Sequence, residues 1–215
     1  MAEENIFLFY PNLIGYVRVL LAIVSFYFMP TNYPVASVCY VVSGFLDAFD
    51  GHAARAFDQS TKFGAMLDQL TDRCGTAGLL VTLSHFYPDY MFLFQVSIAI
   101  DIWCHWIFLH SSLLKGKSSH KFHDLNDNPI MAFYYTKPVL FFMCMGNEAF
   151  YASLYLLHFV EGPLLFGIGL FRMVAYISLP VCVIKTLFSL IHGYVAAINI
   201  ASVDRVERLA MKKQS

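Results

Sequence analysis

Six apolar runs dominate the chain, each close to the length of about 20 residues that a helix needs to cross a hydrocarbon core. They cover 8–28, 34–56, 61–86, 91–114, 131–157 and 170–198, and a basic tail follows over 199–215. Short breaks between them carry turn signals, notably Pro30-Thr31-Asn32-Tyr33-Pro34 and Tyr87-Pro88-Asp89, where proline lacks a backbone donor and stops a helix. No linker or shift in composition divides the runs, and no internal repeat relates them. The pattern predicts an all-α integral membrane protein with six transmembrane helices in a single domain over 1–215.

Basic residues then orient the spans, because Lys and Arg resist transfer across a bilayer. Lys62 lies in the second connection, Lys115, Lys117 and Lys121 in the fourth, and Arg205, Arg208, Lys212 and Lys213 in the tail. The connections near residues 30, 88 and 160 contain neither Lys nor Arg. Both termini are therefore expected to face the cytosol.

Composition agrees with this pattern: 58% of the 215 residues are hydrophobic and 13% charged, well outside the range of soluble domains. A formal charge of -1 gives no basic bias, so nucleic acid is not an expected partner. Cys39, Cys74, Cys104, Cys144 and Cys182 stand singly in apolar stretches, without the spacing of a zinc site, and read as packing residues.

Against this apolar background one polar constellation stands out. The second run ends Asp47-Ala-Phe-Asp50-Gly51-His-Ala-Ala54-Arg55, and after eight residues the third continues Gly64-Ala-Met-Leu-Asp68-Gln-Leu-Thr-Asp72. The acids are three apart in one helix and four apart in the next, so each pair shares a helix face. Packed as antiparallel neighbours, the two helices would gather four carboxylates near the cytosolic interface. Such acids cost roughly 3 kcal/mol each inside a membrane, and their mutual repulsion adds to that. Hard divalent cations with oxygen ligands, Mg2+ or Mn2+, answer the charge, and a pair of them clamps phosphates for an in-line displacement. The bland reading pairs the acids with Arg55, Lys62 and Arg73, which leaves much of the charge uncompensated. Gly51 and Gly64, with Ala54, allow either close helix packing or a ligand against the backbone.

These residues match the DxxDGxxARx8GxxxDxxxD signature at all eight specified positions, and the chain resembles the CDP-alcohol phosphatidyltransferase family. The likeness extends to its length, its six spans and the place of the motif across the second and third. Pro11–Arg18, Ser118–Lys121 and Asn147–Tyr151 are similar to the branch whose acceptor is inositol. The resemblance implies transfer of a phosphatidyl group from CDP-diacylglycerol to myo-inositol, with release of CMP. It implies two divalent metals on Asp47, Asp50 and Asp68, shared by Asp72, with Asp72 as catalytic base. Gly51, Ala54, Arg55 and Gly64 would bind CDP-diacylglycerol. A homodimer in the endoplasmic reticulum membrane, its site facing the cytosol, is implied as well.

Other polar residues within the spans are weaker candidates. Asn12 and Arg18 could contact the nucleotide or its phosphates, or anchor the first helix at the interface. Tyr134 and Lys137 could serve an inositol pocket, although Lys137 could equally snorkel. Asp101 and His105, four apart, are expected to satisfy each other. Glu148 is expected to form an interhelical ion pair with Arg172 or Lys185, and Pro180 is expected to kink the last helix. A channel or carrier with the acids along an ion path explains the carboxylates but not the glycine and arginine framework. A membrane scaffold explains neither. The signature does not encode the alcohol, so glycerol 3-phosphate, serine and choline are the competing acceptors.

Overall fold

Prolines and short polar side chains set the helix starts. The computed structural model describes residues 5–114 and 129–214, so Lys115, Lys117 and Ser118–Lys121 lie outside the described residues. A 3₁₀ turn at Ile6–Leu8 leads into α1 (Tyr10–Phe28), which has Pro11 in its first turn. Before α2 (Tyr33–Ala56), Asn32 Oδ1 accepts from the Val35 N–H at 3.3 Å. Before α3 (Lys62–Phe86), Thr61 Oγ1 accepts from the Gly64 N–H at 3.0 Å. Both are N-caps that satisfy a donor the helix itself leaves open.

The chain gathers into two compact units. The first comprises Met1–Phe94 and His158–Val160. Within it α1 packs on both α2 and α3, whereas α2 and α3 meet only sparsely. This corrects the expected side-by-side packing of the second and third helices. The inward face of α1 explains the arrangement: Asn12, Gly15, Arg18, Ala22 and Ser25 are all buried and recur every three or four residues, with Pro11 buried beside them. Small side chains on that stripe let helices approach closely, and two hydroxyls fasten the seam with α2. Ser25 Oγ donates to the Ala36 carbonyl at 2.8 Å, and Ser43 Oγ to the Arg18 carbonyl at 3.0 Å. At the opposite end Phe86 stacks on His158 with centroids 3.8 Å apart.

The second unit comprises Gln95–Leu157 and Glu161–Ser215. It contains most of α4 (Met91–Leu114), α5 (Pro129–Tyr134), α6 (Lys137–Leu157), a hairpin and α7 (Leu170–Gln214). The expected fifth span over 131–157 is thus broken at Tyr135 and Thr136. Pro138 explains the break, since its ring cannot follow a helical carbonyl at Tyr134 and it offers no N–H to bond there. The hairpin pairs Leu164 with Gly169 and Leu165 with Ile168, and Phe166 and Gly167 turn at positive φ of 51° and 82°. That is the geometry of a two-residue hairpin turn. Gly146 and Gly193 bring helices together: a Cβ on Gly146 would lie 2.5 Å from Val181 Cγ1, and one on Gly193 2.8 Å from the Trp103 ring. The last helix continues through the tail beyond residue 198, with Pro180 inside it.

Among the described residues, four helices are long and apolar enough to cross a membrane: Tyr10–Phe28, Pro88–Leu114, Lys137–Leu157 and Leu170–Lys213. The helices α2 and α3 equal them in length, but their aspartates and basic residues lower the mean hydropathy.

Candidate active site

The last three turns of α2 carry Asp47 and Asp50, and the first half of α3 carries Asp68 and Asp72. All four carboxylates converge on one guanidinium, that of Arg18 in α1. Arg18 Nη1 lies 2.5 Å from Asp50 Oδ2 and 2.7 Å from Asp68 Oδ1. Its Nη2 lies 2.8 Å from Asp47 Oδ1 and 2.7 Å from Asp72 Oδ1. The Arg18 side chain is 1% exposed, and that of Asp50 is 10% exposed. Asp47, Asp68 and Asp72 keep 45%, 44% and 39% of their side-chain surface. The acids therefore line an open-sided cleft between two helices that hardly touch, rather than a sealed pocket. Arg18 is the counter-ion, in place of the Arg55, Lys62 and Arg73 set considered from sequence. Of those three, Arg73 reaches Asp72 at 3.9 Å, while Arg55 and Lys62 are exposed.

The carboxylates fit the hard cations that the motif implies. One oxygen from each of Asp47, Asp50 and Asp68 lies within 4.8 Å of the others. Around a magnesium ion with bonds near 2.1 Å, neighbouring oxygens sit about 3 Å apart and opposite ones about 4.2 Å, so three carboxylates this close are near the spacing of a partial shell that water and phosphate oxygens would fill. An all-oxygen, all-anionic donor set favours magnesium or manganese over softer metals.

The glycines of the motif have different surroundings. A Cβ on Gly64 would lie 2.8 Å from Asn12 Oδ1 and 3.2 Å from Thr61 Oγ1, so this glycine lets α1 approach the start of α3. A Cβ on Gly51 would meet the Arg55 guanidinium at 3.5 Å, an ordinary contact. There the missing side chain leaves room beside an exposed cation. Asn12 is fully buried; its Nδ2 donates to the Ile6 carbonyl at 2.6 Å, while its Oδ1 has no hydrogen-bond partner.

The other candidates lie in the second unit. Tyr134 is buried and stacks on Phe188 at 4.1 Å, and Lys137 is exposed at the start of α6. Asp101 meets His105 at 3.4 Å as expected, and also Lys185 at 3.6 Å. Arg172, one of the two cations expected to hold Glu148, is engaged with Glu161. Cys104 and Cys182 are buried as expected of packing residues, but Cys74 and Cys144 are exposed.

The family model for CDP-alcohol phosphatidyltransferase matches residues 8–159. The chain is 58% identical over 213 residues to the CDP-diacylglycerol–inositol 3-phosphatidyltransferase of Drosophila melanogaster, covering 99% of this chain and 94% of that protein. Its identity to the Homo sapiens protein of the same name is 54% over 213 residues, covering 99% of this chain and all of that one. The Saccharomyces cerevisiae protein of that name is 39% identical over 206 residues, with 95% and 91% covered. No solved structure matches the chain.

Proposed function

The chain belongs to the CDP-alcohol phosphatidyltransferase family, and from that premise we propose that it moves the phosphatidyl group of CDP-diacylglycerol onto myo-inositol, forming phosphatidylinositol and CMP. The convergence of Asp47, Asp50, Asp68 and Asp72 on a single point carries this reading, because a diphosphate in a membrane needs a concentrated cation site. The names of the relatives at 58% and 54% identity support inositol as the acceptor.

Asp47, Asp50 and Asp68 would hold two divalent ions, Mg2+ or Mn2+, with Asp72 near enough to share one; bound there, the ions offset the diphosphate charge and the charge growing on departing CMP. Asp72 accepts the proton of the attacking inositol hydroxyl as the new O–P bond forms and the P–O bond to CMP breaks. A sugar-like hydroxyl is a poor nucleophile near neutral pH, and a positioned base contributes about 10²–10⁴-fold. Arg55, exposed beside the side-chain-free Gly51, offers a cation to the donor phosphates, Ala54 extends the small-residue surface along the cytidine, and Gly64 serves the donor site by admitting the Asn12 side chain against the start of α3. Asn12 contributes a buried acceptor suited to an amino group of the base. Tyr134 and Lys137 offer a phenol and an ammonium suited to a polyol.

The same reading makes the chain one membrane-embedded catalytic domain with six spans, α2 and α3 included, working as a homodimer in the endoplasmic reticulum membrane. Its aspartates and both termini face the cytosol, supported by Lys62 and the basic residues from Arg205 to Lys213.

The test is CMP release from CDP-diacylglycerol by detergent-purified protein, with inositol, serine, choline, glycerol 3-phosphate or no acceptor. Release should require inositol and Mg2+ or Mn2+, stop on chelation, and fall about 10²–10⁴-fold in Asp72→Asn. Turnover with a different acceptor would replace inositol, and no turnover with any would remove the enzyme reading.

A further inference from the structure

Nothing in the family signature includes a residue of α1, yet the centre of the four carboxylates is filled by an α1 side chain. Arg18 places both terminal nitrogens among the acids at 2.5–2.8 Å. Its Nε has no hydrogen-bond partner, so the contacts that hold the guanidinium run through Nη1 and Nη2 to the carboxylates. The backbone is fixed separately, since the Arg18 carbonyl accepts from Ser43 Oγ at 3.0 Å. The side chain is therefore held by the carboxylates and the backbone by Ser43, two separate sets of contacts.

Arg18 bonds the same three aspartates, Asp47, Asp50 and Asp68, whose oxygens lie close enough to share a cation, so guanidinium and metal would draw on one set of carboxylates. One guanidinium against four carboxylates leaves a net charge of -3, whereas two divalent ions neutralise the four acids without it. With the ions in place, the guanidinium becomes a surplus positive charge at short range, and Coulomb repulsion acts to expel it. Asp47, Asp68 and Asp72 are each roughly two-fifths exposed, so ions can reach the acids from solvent while Arg18 itself is buried behind them.

We propose that Arg18 is a built-in competitor for the metal centre: its guanidinium holds the four aspartates together when metal is scarce and must withdraw for divalent ions to bind. This rests on the reading that the aspartates bind metal. Two ligands competing for one set of carboxylates are reciprocally linked, so removing the internal one tightens the external one and destabilises the protein without it.

The test is Mn2+ titration of the detergent-purified full chain by electron paramagnetic resonance, with thermal unfolding in EDTA and in excess MnCl2. Arg18→Gln and Arg18→Lys are compared with Arg73→Gln, which removes the more distant cation, 3.9 Å from Asp72. Arg18→Gln should bind Mn2+ about tenfold tighter or better than the wild type, with Arg18→Lys between them and Arg73→Gln close to wild type. In EDTA the Arg18→Gln melting temperature should fall, and excess Mn2+ should restore it. Unchanged or weaker Mn2+ binding in Arg18→Gln would overturn the proposal, and would assign Arg18 to positioning the carboxylates instead. Equal tightening in Arg73→Gln would overturn it too, since the effect would then be long-range charge rather than occupancy. A variant that does not fold even when prepared in Mn2+ is a third refutation, because metal should replace the lost counter-ion. Absence of Mn2+ binding to the wild type would instead defeat the metal reading itself, and this inference with it.

Discussion

An ion pair is worth what its surroundings allow, and the four pairs made by Arg18 do not have equal surroundings. Asp50 is 10% exposed, so removing its charge leaves buried guanidinium density uncompensated. Asp47 is 45% exposed, and exposed pairs contribute roughly 0–1 kcal/mol. Removing Asp47 also relieves repulsion among acids that outnumber their cation. Asp50→Asn should therefore lower the melting temperature measured in EDTA, while Asp47→Asn should leave it unchanged or raise it. Equal losses in both would show that exposure does not rank these contacts. The acid pairs were legible from spacing, because residues three and four apart share one face of a helix, and the convergence of the two pairs comes from α1 between them. Arg18 was not, because its four partners lie 29, 32, 50 and 54 positions away, and charge balance was sought among basic residues nearby in sequence. The available signal was the small and polar stripe through Asn12, Gly15, Arg18, Ala22 and Ser25, which marks the buried face of α1.

At the scale of helices, how closely two of them approach is set by glycines, and the glycines differ. Gly64 and Gly15 have a neighbouring helix where a methyl group would go: a Cβ on Gly15 would lie 2.7 Å from Leu67 Cδ2. Gly44 and Gly75 have nothing within 4 Å of that position. Alanine at Gly64 would push α1 from α3, at about 1–3 kcal/mol. Alanine at Gly44 or Gly75 removes a helix-weakening glycine and should gain about 0.5–1 kcal/mol. Thermal unfolding of Gly64→Ala, Gly44→Ala and Gly75→Ala in one detergent should therefore give opposite signs, and a common sign would refute the packing argument. The first four helix boundaries fell within about two residues of expectation, because Pro11, Asn32, Thr61 and Pro88 punctuate the apolar runs. The fifth did not, because hydropathy continues across Tyr135 and Thr136 while the backbone cannot, and Pro138 was the signal to weigh.

For the whole molecule, the question that hydropathy leaves open is whether α2 and α3 cross the bilayer, and the two answers place one loop on opposite sides. Among the described residues four helices qualify by composition, while α2 and α3 are disqualified by the very acids that make the site. If they do not span, α1 carries the chain across once and residues 57–61 stay on the far side with the turn at 29–32. If they span, residues 57–61 return to the side of the termini, and the aspartates lie just inside that interface. Both counts are even, so the tail is on the same side in either case and cannot discriminate. Length favours spanning: at 1.5 Å per residue, the 24 and 25 residues of α2 and α3 reach about 36 Å, enough for a core of about 30 Å. The polar residues that depress hydropathy, Asp47 to Arg55 and Lys62 to Arg73, cluster toward one end of each helix, leaving the other ends apolar. In a cysteine-free background, a reporter cysteine at Gln59 should react with an impermeant maleimide in sealed, cytosol-side-out microsomes. One at Asn32 should react only after the membrane is opened. If Gln59 is protected along with Asn32, α2 and α3 form a re-entrant pair and the aspartates open to the far side. The inositol and CDP-diacylglycerol would then have to reach the site from there.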